Sequence, residues 1–421
     1  MEWDEIKKSG DIFLVKEYMD NHPESENDGG IIAVYEQMRQ KLLTEMKADP
    51  TRFSETFVRG CIEARILTRE QMVSEGLATY NTFDKLAGNR GFLPDLAQCT
   101  SRPDLVAKEG CTDVYFLGIP GSGTTCLLMG LMRAENYDFT INYLERGGQY
   151  AASLRQYAEA GVMPRCTPGK YGTSINGRIV EKRKNQDVMH HVNFVEMSGD
   201  EFVHGIVGIV GGETPSSVAG IRGGSKALLS NSNKKVIFIL VDPTIENVGY
   251  THYQDIYDRG GHIIDMQPEN VYINQRACLS KFLDWLDAEA NKCLLKNVEA
   301  IHFIVTKADT LGETKEERNK KAYELLQDRY PALVQKLVSL CKKARLNRTT
   351  DGTPCIFTFS LGKFYLGNTF EYDSKDSLYL IDALRHMTQG TKETALRNML
   401  GLRPAIIKSL SGDYGVKLCD L

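Results

Sequence analysis

The stretch Phe116–Thr125, FLGIPGSGTT, constrains the fold more than any other part of the chain. An apolar run at 114–117 precedes it, and a run with helical character at 126–133 follows it. Its spacing is that of the phosphate-binding pattern G-x-x-x-x-G-K-[ST], except that Thr124 stands where the lysine belongs. The order strand, glycine-rich loop, helix therefore predicts a phosphate site at a helix N-terminus.

In such a loop, backbone N–H groups converge on phosphate oxygens, and a hydroxyl binds Mg²⁺. The residues expected to bind phosphate are Gly118, Gly121, Ser122, Gly123, Thr124, Thr125 and Cys126. Thr125 is also the expected metal ligand. Loss of the lysine removes a charge-assisted hydrogen bond of about 1.5–3 kcal/mol, or about 10- to 100-fold in affinity. The alternative is a glycine-rich turn that binds nothing.

Strand-like and helix-like segments alternate after the loop, which predicts an α/β fold with a mainly parallel sheet between two layers of helices. The runs at 235–241 and 300–305 are almost continuously apolar, as expected of strands covered on both faces. The predicted strands span 113–118, 174–182, 189–197, 235–241, 300–305 and 354–360.

Two polar motifs follow predicted strands. Glu196 ends one strand, where its carboxylate can hold Mg²⁺ or a water bound to it. Gly199 lies three residues later, where its N–H can approach a γ-phosphate.

The second motif, Thr306-Lys307-Ala308-Asp309, suits guanine. The carboxylate of Asp309 can accept from both N1–H and the 2-amino group, a donor pair that adenine lacks. The stem of Lys307 can lie along the purine face. Ser360 and Leu361 follow the last strand, where a backbone N–H can meet the guanine carbonyl.

With these four motifs in order at strand ends, residues 106–390 resemble the Ras-like (TRAFAC-type) P-loop GTPases. The resemblance implies the three-layer P-loop NTPase fold, GTP or GDP as ligand, Mg²⁺ as cofactor and action as a nucleotide-dependent switch. The long insertions and the residues at 198–202 resemble bacterial regulatory or conflict-system GTPases more than small eukaryotic ones.

Four residues depart from the family pattern. Thr124 replaces lysine, Glu196 replaces aspartate, and Thr306 replaces the commoner asparagine. Asp200 occupies the position where many members orient water with glutamine, and its carboxylate would repel the γ-phosphate. Thr124 and Asp200 both predict weak or absent hydrolysis, because phosphoryl transfer depends on electrostatic stabilisation and water positioning.

A switch I threonine is expected between the loop helix and the next strand. Thr173 fits best and Thr167 second, within a loop-like segment where Arg165 and Lys170 could replace the missing charge. Thr173 and Asp200 are the expected catalytic residues. The glycine-rich region 199–234 is the expected second switch, where γ-phosphate can control order.

The first 105 residues are predicted to be helical. Residues 1–48 form two helices that resemble a tetratricopeptide-like hairpin, residues 49–105 form a helical linker domain, and residues 106–421 form the nucleotide-binding domain with insertions. Asp11 and the pair Thr68/Gln71 are predicted helix caps. A hairpin packed on its own chain is the alternative to a repeat unit.

The net charge of −4, from 51 basic and 55 acidic residues, gives no electrostatic basis for a nucleic-acid partner. No signal peptide or membrane span is predicted, and ten cysteines without a C-x-x-C pair are typical of a cytoplasmic protein. A protein partner is expected at the N-terminal helices or at region 199–234. Two functional alternatives stay open: a pseudo-GTPase scaffold and a P-loop ATPase.

Overall fold

The structure, a computed structural model, describes residues 3–88, 93–94, 96, 107–145, 147–164, 173–182, 187–208, 227–228, 231–257, 263–288, 292–347, 353–388 and 416–417. The chain divides into two units. The first comprises Met1–Leu93, Tyr157–Met163 and Gly362–Tyr372, and the second comprises Pro94–Gln156, Pro164–Leu361 and Asp373–Leu421. The three domains expected from sequence stay a prediction.

The principal helices are, in chain order, α1 Trp3–Ser9, α2 Ile12–Asn21, α3 Gly29–Ala48, α4 Glu55–Glu63, α5 Arg69–Ser74, α6 Tyr80–Gly88, α7 Thr124–Arg133, α8 Gly148–Ala160, α9 Gln275–Asp287, α10 Lys292–Leu295, α11 Lys315–Arg329, α12 Pro331–Ala344 and α13 Lys375–Met387. The strands are β1 Thr112–Leu117, β2 Phe139–Ile141, β3 Thr173–Glu181, β4 Val188–Glu196, β5 Lys234–Val241, β6 Asn247–Tyr257, β7 Ile263–Asn274, β8 Val298–Val305, β9 Cys355–Thr358, β10 Gly362–Tyr365, β11 Thr369–Tyr372 and β12 Val416–Lys417.

Helices α1 to α6 belong to the first unit, and both predicted caps are confirmed there. Asp11 accepts from the N–H of Phe13 at 2.9 Å, and Thr68 and Gln71 form a reciprocal capping box. Residues 2–48 were expected to form two helices, but they form three. Gly10, at φ 68°, interrupts the run between α1 and α2.

A single apolar core holds the first unit together. It includes Val15, Met46 and Val58 from the helices, and also Leu366 from the distant segment 362–372. The N–H of Leu366 donates to the carbonyl of Leu77 at 3.1 Å. The hairpin of β10 and β11 is therefore part of the helical unit, although it follows β9 in sequence.

The second unit is built on an eight-stranded sheet in the order β12-β9-β8-β5-β1-β4-β3-β2. Neighbours from β9 to β4 run parallel, whereas β3, β2 and β12 each pair antiparallel to the strand beside them. After β1 the chain forms β2, β3 and β4 on one side of that strand. It then forms β5, β8 and β9 on the other side. The order reverses at β1, and ligands of such sheets bind at the carboxyl ends of the strands beside this reversal.

Both faces of the sheet are covered. On one face, side chains of β1, β5 and β8 pack with α9, α11 and α12 in one core, which contains Phe282 and Leu337. On the other face, Phe116 stacks with Phe194 and Phe238, and α7 and α13 contact β4 and β3. The predicted α/β class, with a mainly parallel sheet between helices and an all-α region before it, is confirmed.

The predicted strands all occur, within about two residues at most ends. The run at 235–241 is wholly buried, as its composition indicates. The hairpin of β6 and β7, a two-stranded sheet of its own, was not predicted. In the described part of the chain, no helix has the length and hydropathy of a membrane span.

A buried polar cluster joins the amino-terminal ends of β1 and β5 to β4. Asp113 accepts hydrogen bonds from the side-chain amides of Asn193, Asn231 and Asn233, at 2.7 to 2.9 Å. The ammonium of Lys235, which is fully buried, donates to the carbonyls of Asn231 and Asn233. The cluster fixes the register of these strands from the end opposite the phosphate loop.

Candidate functional site

The phosphate loop connects β1 to α7. Gly121 and Gly123 have φ of 82° and 95°, left-handed values that side-chain-bearing residues rarely adopt. Gly123 is the N-cap of α7, so the first turn of that helix begins with Thr124, Thr125 and Cys126. The chain thus forms the helix N-terminus that a phosphate needs, without the lysine.

Ser122 is buried in the middle of this loop. Its N–H donates to the carbonyl of Ile119 at 3.1 Å. Its hydroxyl is buried and has no hydrogen-bond partner within the described residues. A Cβ on Gly118 would overlap that hydroxyl, so both positions depend on the absence of a side chain at 118.

The carboxyl end of β4 brings Glu196 to the start of α7. The Thr125 hydroxyl donates to Glu196 Oε1 at 3.0 Å, across 71 residues of sequence. Glu196 is only 3% exposed. Burial raises the pKa of Glu196 to about 7, and contacts with Tyr150 and Thr125 oppose the shift. The two expected metal ligands are therefore adjacent.

Thr173 lies beside this pair. It begins β3 and is the register partner of Glu196 on β4. Its side chain is fully buried, and among the described residues its hydroxyl has no hydrogen-bond partner. A carboxylate and two hydroxyls supply the oxygen ligands that Mg²⁺ prefers. These three residues fit a magnesium ion that keeps several water or phosphate ligands. The described residues contain no cluster of three or more His, Cys, Asp or Glu suited to a metal.

Gly199 packs directly on the phosphate loop. A Cβ at Gly199 would lie 2.5 Å from the carbonyl carbon of Ile119 and from Pro120 Cα. Glycine is needed here because the two backbones touch. The loop after β4 therefore lies against the phosphate loop, where a γ-phosphate would be within reach of both.

Asp200 follows in a short helical turn, Gly199–Glu201, which Ser198 caps by accepting from the N–H of Glu201. Its carboxylate lies 3.3 Å from His204 Nε2. His204 belongs to the π-helical segment Phe202–Val207 and also lies 2.8 Å from the Tyr250 hydroxyl. The carboxylate of Asp200 is thus held by His204, four residues later in the same segment.

The base motif is joined to the phosphate loop by one hydrogen bond. Thr306, at the end of β8, is buried, and its hydroxyl donates to the carbonyl of Ser122 at 2.8 Å. A Cβ on Gly123 would be in ordinary contact with Thr306 Cβ, at 3.4 Å. Residues separated by 184 positions therefore form one edge of a common site.

Asp309 and Ser360 are brought together as the resemblance implies. The Ser360 hydroxyl donates to Asp309 Oδ1 at 2.9 Å. The loops also share backbone bonds, since the N–H of Ala308 donates to the carbonyl of Phe359 at 3.1 Å. Leu361 is buried beside them. The orientation of the Asp309 carboxylate is therefore set by Ser360, a residue of the loop after β9.

Lys307 has a partner that the sequence did not reveal. Its Nζ lies 2.6 Å from Oδ2 of Asp242, a fully buried carboxylate at the end of β5. Asp242 Oδ1 accepts from the N–H and the hydroxyl of Thr244, which closes a turn at the end of the strand. The sequence did hold one indication of a role for Asp242. It directly follows a predicted strand, as Thr306 does, and Glu196 lies near the end of another.

Gln275 fixes the turn that carries Asp242. Its Oε1 accepts from the N–H of Asp242 at 2.9 Å, and its Nε2 donates to the carbonyls of Asp242 and Ile245. Gln275 begins α9 and is fully buried. Nothing in its local pattern distinguishes it from an ordinary helix start, so sequence could not identify this role.

Part of the expected switch regions lies outside the described residues. Thr167, Arg165 and Lys170 fall in 165–172, and most of the glycine-rich region falls in 209–226. Their expected roles stay predictions.

No protein-family model matches the sequence, and no curated protein is significantly similar to it. The solved structures with weak similarity include the following two. The first is the signal recognition particle receptor SRb-GTP/SRX complex from Chaetomium thermophilum, with 13% identity over 62% of this chain and 96% of that chain, at a TM-score of 0.25. The second is the septin GTPase domain from Chlamydomonas reinhardtii, with 12% identity over 72% of this chain and 99% of that chain, at a TM-score of 0.27. Scores this low do not establish a shared fold, and the architecture stands on the chain's own strand order.

Proposed function

We propose that the chain binds guanine nucleotides and acts as a nucleotide-dependent switch with weak or absent GTP hydrolysis. The observation that carries the proposal is the hydrogen bond from Thr306 to the Ser122 carbonyl, 2.8 Å long. It makes one site of two motifs that sequence chemistry assigns to phosphate and to base.

In this site the backbone N–H groups at the start of α7 bind phosphate oxygens. Asp309 accepts from the guanine N1–H and 2-amino group, and the N–H of Leu361, the residue after Ser360, faces the guanine carbonyl. Thr125, Glu196 and Thr173 would hold Mg²⁺, which neutralises phosphate charge when it is bound.

Slow hydrolysis follows from two side chains. Thr124 supplies no cation for the charge that develops in phosphoryl transfer. Asp200 directly follows Gly199, which packs on the phosphate loop, so its carboxylate lies near the expected position of the γ-phosphate. The proposed catalytic positions, Asp200 and Thr173, are therefore suited to sensing a γ-phosphate more than to activating water.

Calorimetric titration of the full chain with GDP, a non-hydrolysable GTP analogue and ADP, each with Mg²⁺, tests the proposal. Binding of both guanine nucleotides at sub-millimolar concentration, and tighter than ADP, is expected. Asp309→Asn is the matched variant, because an amide donor in place of a carboxylate oxygen suits the C2 carbonyl of xanthine. It should weaken GDP binding about 10- to 100-fold and favour XDP. Absence of guanine binding by the unmodified chain would refute the proposal.

A second candidate is a scaffold that binds no nucleotide, and the hydrogen bond between Thr125 and Glu196 Oε1 favours it because it pairs the two groups without a metal. Thermal melting separates the candidates. Guanine nucleotides raise the melting temperature of a binding protein by mass action and leave that of a scaffold unchanged. Preference for ADP in the same assay would indicate the ATPase alternative.

The switch would act on another protein in the cytoplasm. Helices α1 to α6 and region 199–234 are the proposed contact surfaces, and co-purification with GDP or the GTP analogue present would reveal a nucleotide-dependent partner. The acidic charge balance gives no support for a nucleic-acid partner.

A further inference from the structure

Asp376 is a buried carboxylate that the proposed binding chemistry does not use. It lies in the first turn of α13 and its side chain is 3% exposed. Its Oδ2 accepts from the backbone N–H of Ser360 at 3.0 Å. A buried carboxylate in contact with one specific loop N–H constrains that loop, because its desolvation is offset only while its partners stay in place.

Two cations hold Asp376 from a second helix. Arg318 Nη1 lies 3.1 Å from Oδ2, and Lys315 Nζ lies 3.7 Å from Oδ1. Both residues lie in the first two turns of α11, the helix that follows the base motif. Asp376 therefore connects the loop after β9 to the segment that carries Asp309.

The connection ends on the group that selects the base. Ser360, whose N–H is held by Asp376, donates its hydroxyl to Asp309 Oδ1. The same loop is held at its other end, where the N–H of Asp373 donates to the carbonyl of Leu361 at 3.1 Å. The position of the Asp309 carboxylate thus depends on a residue 67 positions later, which contacts the Ser360 loop and has no role in the proposed nucleotide contacts.

We propose that Asp376 is a positioning residue for base selection, acting through Ser360 on Asp309. The inference rests on the proposed guanine binding and adds the origin of its specificity. Removing Asp376 frees the Ser360 loop, so Asp309 loses its alignment with the guanine 2-amino group. Contacts to phosphate, made by a different loop, are retained.

The experiment compares GDP with IDP, which lacks the 2-amino group, by titration of the full chain in the presence of Mg²⁺. The unmodified protein should prefer GDP by about 10- to 100-fold, the range of one charge-assisted hydrogen bond. Asp376→Ala should lower this preference about tenfold, chiefly by weakening GDP binding. Asp376→Asn keeps an oxygen that can accept from Ser360 and should lower it only about threefold. Asp382→Asn, in the same helix and paired with Arg385, is the control and should leave the preference unchanged.

A purely structural role predicts a different result, since GDP and IDP affinities would then fall by the same factor. An unchanged preference in folded Asp376→Ala overturns the inference and leaves guanine binding intact. If Asp376→Ala does not fold, an unchanged preference in Asp376→Asn overturns it. Failure of the unmodified chain to bind either nucleotide refutes the proposed function as well, so the two failures are distinct.

Discussion

At the scale of single residues, Thr124 is the decisive departure. The loop keeps its left-handed glycines and its open helix N-terminus, so the threonine changes charge and reach but not the backbone. Backbone N–H groups and the helix dipole still favour an anion. The loop therefore keeps the backbone geometry of a phosphate site but lacks the cation of the usual lysine.

Replacing Thr124 with lysine should strengthen binding of the GTP analogue about 10- to 100-fold, because it adds a charge-assisted hydrogen bond to phosphate. Affinity is measured by calorimetric titration, and GTP turnover is followed in parallel. Thr44→Lys, on the exposed surface of α3, adds the same charge elsewhere and is the control. Equal affinity in Thr124→Lys and the unmodified chain would show that the loop does not hold phosphate in the expected way.

Residues that act locally could be predicted, and those that act across the fold could not. Asp11, Thr68 and Gln71 cap helices through neighbours two or three positions away, which a sequence pattern records directly. Lys307 pairs with Asp242 from a position 65 residues away, and that pairing exists only once β5 and β8 are adjacent.

At the scale of elements, the buried strands were predictable because composition alone marks them. The hairpin of β6 and β7 was missed because residues 247–257 mix polar and apolar side chains without the uninterrupted apolar run of a central strand. Among the described strands, β6 and β7 pair only with each other, and one end of the hairpin, at Val248, Val271 and Ile273, packs on the core. From the sequence, Gly199 and the phosphate loop were expected only to bind the same phosphate. The direct packing of their backbones was not predicted.

That contact predicts the outcome of Gly199→Ala. The new methyl group would overlap the backbone at Ile119 and Pro120, and the two loops would have to separate. A loss of about 1–3 kcal/mol in unfolding free energy is expected, together with weaker binding of the GTP analogue. Urea denaturation and titration measure the two effects. Gly29→Ala is the control, because a Cβ at Gly29 meets nothing within 4 Å. Unchanged stability and affinity in Gly199→Ala would contradict the close packing of the loops.

At the scale of the whole molecule, His302 makes stability depend on pH. Burial inside the sheet lowers the pKa of His302 from 6.5 to about 3, and its Nδ1 accepts from the N–H of Cys355 at 3.0 Å. Between these values the unfolded chain binds a proton that the folded chain does not. Well above pH 6.5 neither state binds this proton, and His302 does not affect stability. As the pH falls from 6.5 toward 3, the unfolded chain takes up the proton and the free energy of unfolding decreases.

The slope from this group is about 1.4 kcal/mol per pH unit. In His302→Asn, where the amide oxygen can replace Nδ1 as acceptor, that part of the slope should vanish. Unfolding free energies from urea titrations at pH 6.5 and pH 5.5 give the comparison. The difference between the two pH values should be smaller in the variant by about 1 kcal/mol. Equal pH dependence in both proteins would mean that His302 binds protons equally in the folded and unfolded chains, so that burial does not lower its pKa.

The buried Leu366 of the helical unit has a consequence for biosynthesis. Chains usually fold from the amino terminus as they leave the ribosome. Here the core that begins with α1 is closed by residues 362–372, which are translated after β1, β4, β5, β8 and β9. Helices α1 to α6 are synthesised before this segment, so part of their apolar surface stays uncovered until it is translated. The helical unit is therefore completed only after most strands of the central sheet have been synthesised.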